Sequence, residues 1–143
     1  MIFENLNLHF EDEKIVGLDG ESGSGKSTLM KMVMKWYMAK SGKISLNEED
    51  ILEIDSIKLQ EKIAYIPQFP QIFSQTIREN LVLGNDKITD EEILEIAEKC
   101  RLKDVILSTE NGLDTKINSE KIIFSSGEMQ RLELMRALLK RAD

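Results

Sequence analysis

A single cysteine, Cys100, excludes an intrachain disulfide, and a reducing cytoplasmic setting is the simplest one for such a chain. Long hydrophobic runs are missing too: none approaches the length that spans a bilayer, and the first residues lack the basic-then-apolar layout of a signal peptide. Basic residues are in the minority, 19 against 26 acidic ones for a net charge of −7. That balance argues against a nucleic-acid partner held on a basic face and against an electrostatic membrane anchor. There are only two prolines, and no tract rich in proline, glycine or serine divides the chain. No internal repeat is visible. The only histidine, His9, falls on the polar side of an alternating stretch and receives no catalytic or ligand role.

What is present is ordinary globular material, 41% hydrophobic and 31% charged over 143 residues, enough for one domain or a piece of one. Within it, Gly20-Glu21-Ser22-Gly23-Ser24-Gly25-Lys26-Ser27-Thr28 fits the phosphate-loop pattern G-x-x-x-x-G-K-[ST]. Glycines allow a tight turn with amide hydrogens facing inward, Lys26 offers a point charge to terminal phosphates, and Ser27 offers a hydroxyl to magnesium. Residues 14–18 read as a short buried strand and residues 28–40 as a helix, so the loop opens onto a helix N-terminus whose dipole favours an anion. A nucleoside triphosphate is the ligand this implies.

Elsewhere the patterns are local. Residues 5–10 alternate as a half-buried strand expected to turn into the strand at 15. The helix after the loop carries Leu29, Met32, Val33, Trp36 and Tyr37 on one face, with Gly42 placed as its C-terminal cap. Residues 43–46 form a short strand, 50–59 a connection with a possible helical turn, and 62–66 an apolar strand ended by Pro67, with Gln68 just beyond it. Groups in that position meet ligands in open parallel sheets. Residues 74–83 read as a short helical or irregular segment. Thr89 with Glu92 makes a capping box before a helix with Ile93, Ile96, Ala97 and Cys100 on one face, which makes Cys100 a core residue. Residues 102–107 read as a short helix, Asn111-Gly112 as a turn and 115–124 as a mixed extended stretch with Ile122, Ile123 and Phe124 against something apolar. Ser125 with Glu128 makes a second capping box for a last helix over about 127–141, with Leu132, Met135 and Leu139 on one side and Leu134 and Leu138 beside them.

Gln68 taken with Phe124-Ser125-Ser126-Gly127-Glu128-Met129-Gln130-Arg131-Leu132 narrows the class, since together they resemble the ATP-binding cassette family. Residues 66–80 and Gly112-Leu113-Asp114-Thr115 are similar to its exporter branch. The resemblance implies an α/β, P-loop NTPase-type partial domain with an inserted α-helical subdomain. Its parts within 1–143 are a phosphate-loop and glutamine-loop core over about 1–70, a helical subdomain with signature over about 71–128, and the signature helix over 129–143. It also implies ATP and Mg2+ as ligands. Gly20, Ser22, Gly23, Ser24, Gly25, Lys26, Ser27 and Thr28 would surround the phosphates; Ser27 and Gln68 would serve magnesium, and Lys26 and Gln68 catalysis. Ser125, Ser126, Gly127 and Glu128 would cover the ATP of an opposite subunit. The partners so implied are a transmembrane domain and a second nucleotide-binding domain in a head-to-tail dimer, with no nucleic acid, at the cytoplasmic face of a membrane, and the function is ATP-driven export.

The chain also departs from the family. Phe124 and Ser126 stand for the usual leucine and first glycine of the signature, and Glu128 for glutamine; Asn118, Ser119 and Lys121 stand where exporters have glycine, glutamate and glycine. The family's second magnesium-binding acid and catalytic glutamate would follow Asp143, and its base-stacking aromatic would precede Met1. Weak or absent turnover by this chain alone is therefore expected, and the alternative function is a truncated, non-hydrolysing nucleotide-binding or interaction module. The strands at 14–18 and 62–66 would have unpaired edges, which is expected to leave the isolated monomer marginal unless another chain pairs them.

Overall fold

The computed structural model describes residues 3–11, 15–117 and 124–142. They fall into two compact units, Met1–Gln60 and Glu61–Asp143.

In the first unit the helix α1 occupies Lys26–Val33, shorter than the apolar spacing predicts. Its end is a Schellman motif: the Lys35 N–H donates to Met32 O at 3.0 Å and the Trp36 N–H to Lys31 O at 2.8 Å, with Lys35 at φ 57°. A lysine thus takes the left-handed position expected of a glycine, and its ammonium donates to Ile54 O at 2.9 Å. Trp36 and Tyr37 lie past the stop at about half exposure. Gly42, also at positive φ, belongs to a later turn and not to the helix cap. A two-stranded antiparallel hairpin follows, β1 over Ser45–Leu46 and β2 over Glu49–Asp50. Asn47 and Glu48 between them both have positive φ, as a type I′ turn requires. The helix α2, Ser56–Lys62, opens where Asp55 Oδ1 accepts from the Ile57 N–H at 2.9 Å.

The expected strands at 5–10 and 14–18 are not paired: β1 and β2 are the only strands among the described residues, and Lys14 and most of the turn before it lie outside them. Leu6, Leu8, Phe10, Ile15, Val16 and Leu18 are exposed accordingly. The alternation is present, but a strand is held by its ladder, and no described segment supplies the neighbour. Residues 63–66 are likewise unpaired by any ladder, and Lys62 belongs to α2.

Helices make up the second unit: α3 over Ile77–Val82, α4 over Asp90–Lys99, α5 over Lys103–Leu107, a 3-10 turn over Gly112–Asp114 and α6 over Ser126–Lys140. Ile77 and Leu81 of α3, Ile93 and Ala97 of α4, and Leu132, Met135 and Leu139 of α6 meet in one apolar core. Cys100 joins that core, as its helical spacing predicts, while Leu134 and Leu138 face outward. Burial raises the Cys100 thiol above its ordinary value, which keeps it a small apolar group. Ile88 and Phe124 precede the N-caps of α4 and α6 and pack into the same core, the position of a hydrophobic staple. The expected apolar role of Ile122 and Ile123 lies outside the described residues. Leu132→Ala, a fully buried truncation, is expected to lower unfolding stability by about 2–5 kcal/mol in denaturant titration, with exposed Leu134→Ala causing no comparable loss.

Candidate functional site

Every helix poses the same physical problem, since its first amide hydrogens have no partner inside it. Three solve it with a reciprocal capping box. At α3, Thr76 accepts from the Glu79 N–H at 3.1 Å and Glu79 accepts from the Thr76 N–H at 2.8 Å. At α4, Thr89 and Glu92 repeat the arrangement at 3.3 and 2.9 Å. At α6, Ser125 Oγ accepts from the Glu128 N–H at 3.4 Å, while Glu128 accepts from the Ser125 N–H at 2.7 Å. Hydrogen bonds from Thr76, Thr89 and Ser125 hold the three carboxylates below their ordinary values.

The helix α1 differs. Its N-cap is Gly25, left-handed at φ 102°, with no side-chain acceptor. A glycine is needed there because the backbone is in the left-handed region, and Gly23 at φ 84° has the same requirement. The result is a helix N-terminus whose donors are not capped by a side chain. Lys26, the first helical residue, folds back into the curve of the loop, donating from Nζ to Gly20 O at 2.6 Å, Glu21 O at 2.8 Å and Ser24 Oγ at 3.4 Å. The Ser24 N–H closes the turn on Glu21 O at 3.2 Å. Glu21, Ser22, Gly23, Ser24 and Ser27 are exposed, and Thr28 is half-buried. The Lys26 ammonium and the Ser24 hydroxyl therefore meet in the loop beside a helix start without a side-chain cap, a donor set suited to a polyphosphate, and Ser27 carries an oxygen that could serve a hard cation.

Of the other expected residues, Gln68 is exposed and lies in the second unit beyond residues 63–67, which belong to no helix or strand. Ser125 and Ser126 are exposed at the start of α6, with Gly127 and Glu128 half-buried behind them. Not all of the amides there are free, because the capping box uses those of Ser125 and Glu128; Ser126 and Gly127 are the first-turn donors outside that box. Phe124, standing for the usual leucine, is 2% exposed and fills the core. Asn118, Ser119 and Lys121 lie outside the described residues. Asp114, in the exporter-like stretch, pairs with Arg78, whose side chain holds its carboxyl below the ordinary value.

One constellation escaped the sequence reading. Asn80, Glu133 and Arg136 are 1%, 6% and 9% exposed inside the second unit, bonded to each other and to the backbone after Gln68. A signal existed: Arg136 lies four residues after Leu132 and three before Leu139, on the apolar stripe, where a charged side chain must have partners.

The ABC transporter family model matches residues 3–143. A probable ABC transporter ATP-binding/permease protein of Haemophilus influenzae is 41% identical over 141 residues, 99% of this chain and 26% of that protein. A putative export ATP-binding/permease protein of Rickettsia typhi is 37% identical over 98% of this chain and 24% of its own length. The mitochondrial iron-sulfur clusters transporter of Saccharomyces cerevisiae is 42% identical over 86% of this chain and 18% of its own. Among solved structures, a bacterial Atm1-family ABC exporter with ATP bound superposes with a TM-score of 0.78 at 29% identity, covering 85% of this chain and 22% of that one. The chain belongs to the ABC transporter family and has its P-loop NTPase fold. It spans about a quarter of the length of the first curated relatives it matches. No helix among the described residues is long and apolar enough to cross a membrane.

The capping geometry makes a pH prediction. A carboxylate depressed in the folded state contributes stability that is complete above its ordinary value and is lost as pH falls through the lowered folded value. Ser125→Ala should cost about 1 kcal/mol at neutral pH. Glu128→Gln should remove one step of the acid destabilisation, seen as a flatter dependence of the denaturation midpoint on pH across the carboxylate range.

Proposed function

We propose that this chain is the ATP-binding portion of an ABC exporter, coupling ATP binding and hydrolysis to transport through a transmembrane partner at the cytoplasmic face of a membrane. The observation that carries the proposal is the open N-terminus of α1 with Lys26 drawn into its loop. In this reading MgATP brings a transferable terminal phosphoryl group and the cation that neutralises its oxygens. Lys26 exchanges the Gly20 and Glu21 carbonyls for terminal phosphate oxygens, and the amides from Gly23 to Thr28 surround the phosphate chain. Ser27 supplies the hydroxyl for magnesium. Gln68 serves the cation and reports on the transmembrane partner. Ser125, Ser126, Gly127 and Glu128 cover the ATP of a second nucleotide-binding domain arranged head to tail. The names of the relatives, which pair ATP binding with a permease, support the partner and the direction.

Lys26→Ala is the decisive variant. It removes charge-assisted hydrogen bonds of about 1.5–3 kcal/mol each, so MgATP affinity in titration calorimetry should fall by about 100-fold or more. Unchanged affinity would contradict the site. Phosphate release that disappears with Lys26 would support turnover by this chain; MgATP binding without release would favour a nucleotide-holding module.

A further inference from the structure

Two stretches 65 residues apart, the backbone after Gln68 and the helix α6, are joined by one buried guanidinium. Arg136 donates from Nη1 to Gln71 O and to Glu133 Oε1 at 2.7 Å, and from Nε and Nη2 to Asn80 O and Oδ1, the latter at 2.8 Å. Glu133 Oε1 accepts from the Gln71 N–H at 2.7 Å. Asn80 Oδ1 accepts from the Phe73 N–H at 2.8 Å, and its amide donates to Phe73 O and Thr76 O, both at 2.9 Å. The guanidinium also lies over the Phe73 ring, 5.4 Å from its centre. Residues 71–73 are therefore fixed by side chains where a sheet would fix them by a ladder.

Packing alone does not call for this arrangement, because an apolar trio would fill the same space without the cost of desolvating two charges. What the polar set adds is a single register: shifting residues 71–73 along α6 would leave several buried donors and acceptors unmatched at once. We propose that Arg136, through Glu133 and Asn80, is a positioning residue that makes the segment after Gln68 and the helix α6 one rigid body. Displacement at Gln68 is then carried to the helix N-terminus at Ser125 to Glu128. The inference rests on the reading of those two places as functional ends given under Proposed function.

The test uses the 143-residue chain with nitroxide labels at Gln68→Cys and Ser126→Cys, Cys100 being buried. Pulsed electron resonance should give one narrow distance. Arg136→Lys keeps the charge and loses the planar fork. It should broaden that distance and speed amide exchange at Gln71 and Phe73 by about tenfold or more, the effect of losing a charge-assisted hydrogen bond. Amides of Ile93 and Ala97 should stay protected, and Glu133→Gln, which keeps an acceptor, should retain the narrow distance. Should Arg136→Lys fail to fold, Asn80→Asp, which keeps the acceptor but loses the donor to Phe73, serves instead with the same expected broadening. A narrow distance with unchanged exchange at Gln71 and Phe73 in the folded variant overturns the proposal. MgATP binding by the unlabelled chain tests the nucleotide site separately, so the two readings can fail independently.

Discussion

Unpartnered amide hydrogens at helix N-termini are the constraint on which the rest of this structure turns. A helix cannot satisfy its first donors internally, so each N-terminus must find an acceptor in a side chain, in solvent or in a ligand. The helices α3, α4 and α6 find it in Thr76, Thr89 and Ser125, each answered by a glutamate three residues on. The helix α1 has Gly25 at that position and a lysine immediately after it. The rule that closes those three helix ends leaves the start of α1 without a side-chain acceptor, with a cation beside it.

The second unit depends on α6 in two ways that differ in physical kind. Leu132, Met135 and Leu139 bury an apolar stripe against α3 and α4, which stabilises without fixing a register. Arg136 supplies the register, because its hydrogen bonds to Gln71 and Asn80 admit one alignment. Lys140 adds an anchor, donating to Ile63 O at 2.7 Å, so the start of the segment after α2 is held by this helix as well.

How much of this was legible followed from how local the cause was. The boxes at Thr89 and Ser125 are written in residues three apart, and they stand where the spacing puts them. The box at Thr76 and Glu79 obeys the same rule but was hidden in a stretch read only as helical or irregular. At the end of α1 the apolar spacing runs on to Trp36 and Tyr37, yet the chain turns at Lys35, whose left-handed backbone no propensity rule favours. The stretch at 5–10 alternates and that at 62–66 is an apolar run, as strands do, but a ladder needs a neighbour from elsewhere in sequence, and neither pattern can name it. Arg136 was missed for a related reason: its partners lie 56 and 65 residues away.

The central claim is that the open N-terminus of α1 is the phosphate site. Titrating the chain with MgATP while following backbone amide resonances tests it most directly. The largest shifts are predicted at Gly23, Gly25, Lys26, Ser27 and Thr28, with the capped starts of α3 and α4 unmoved. MgATP binding that leaves those five amides in place, or that shifts the capped helices instead, would contradict the account.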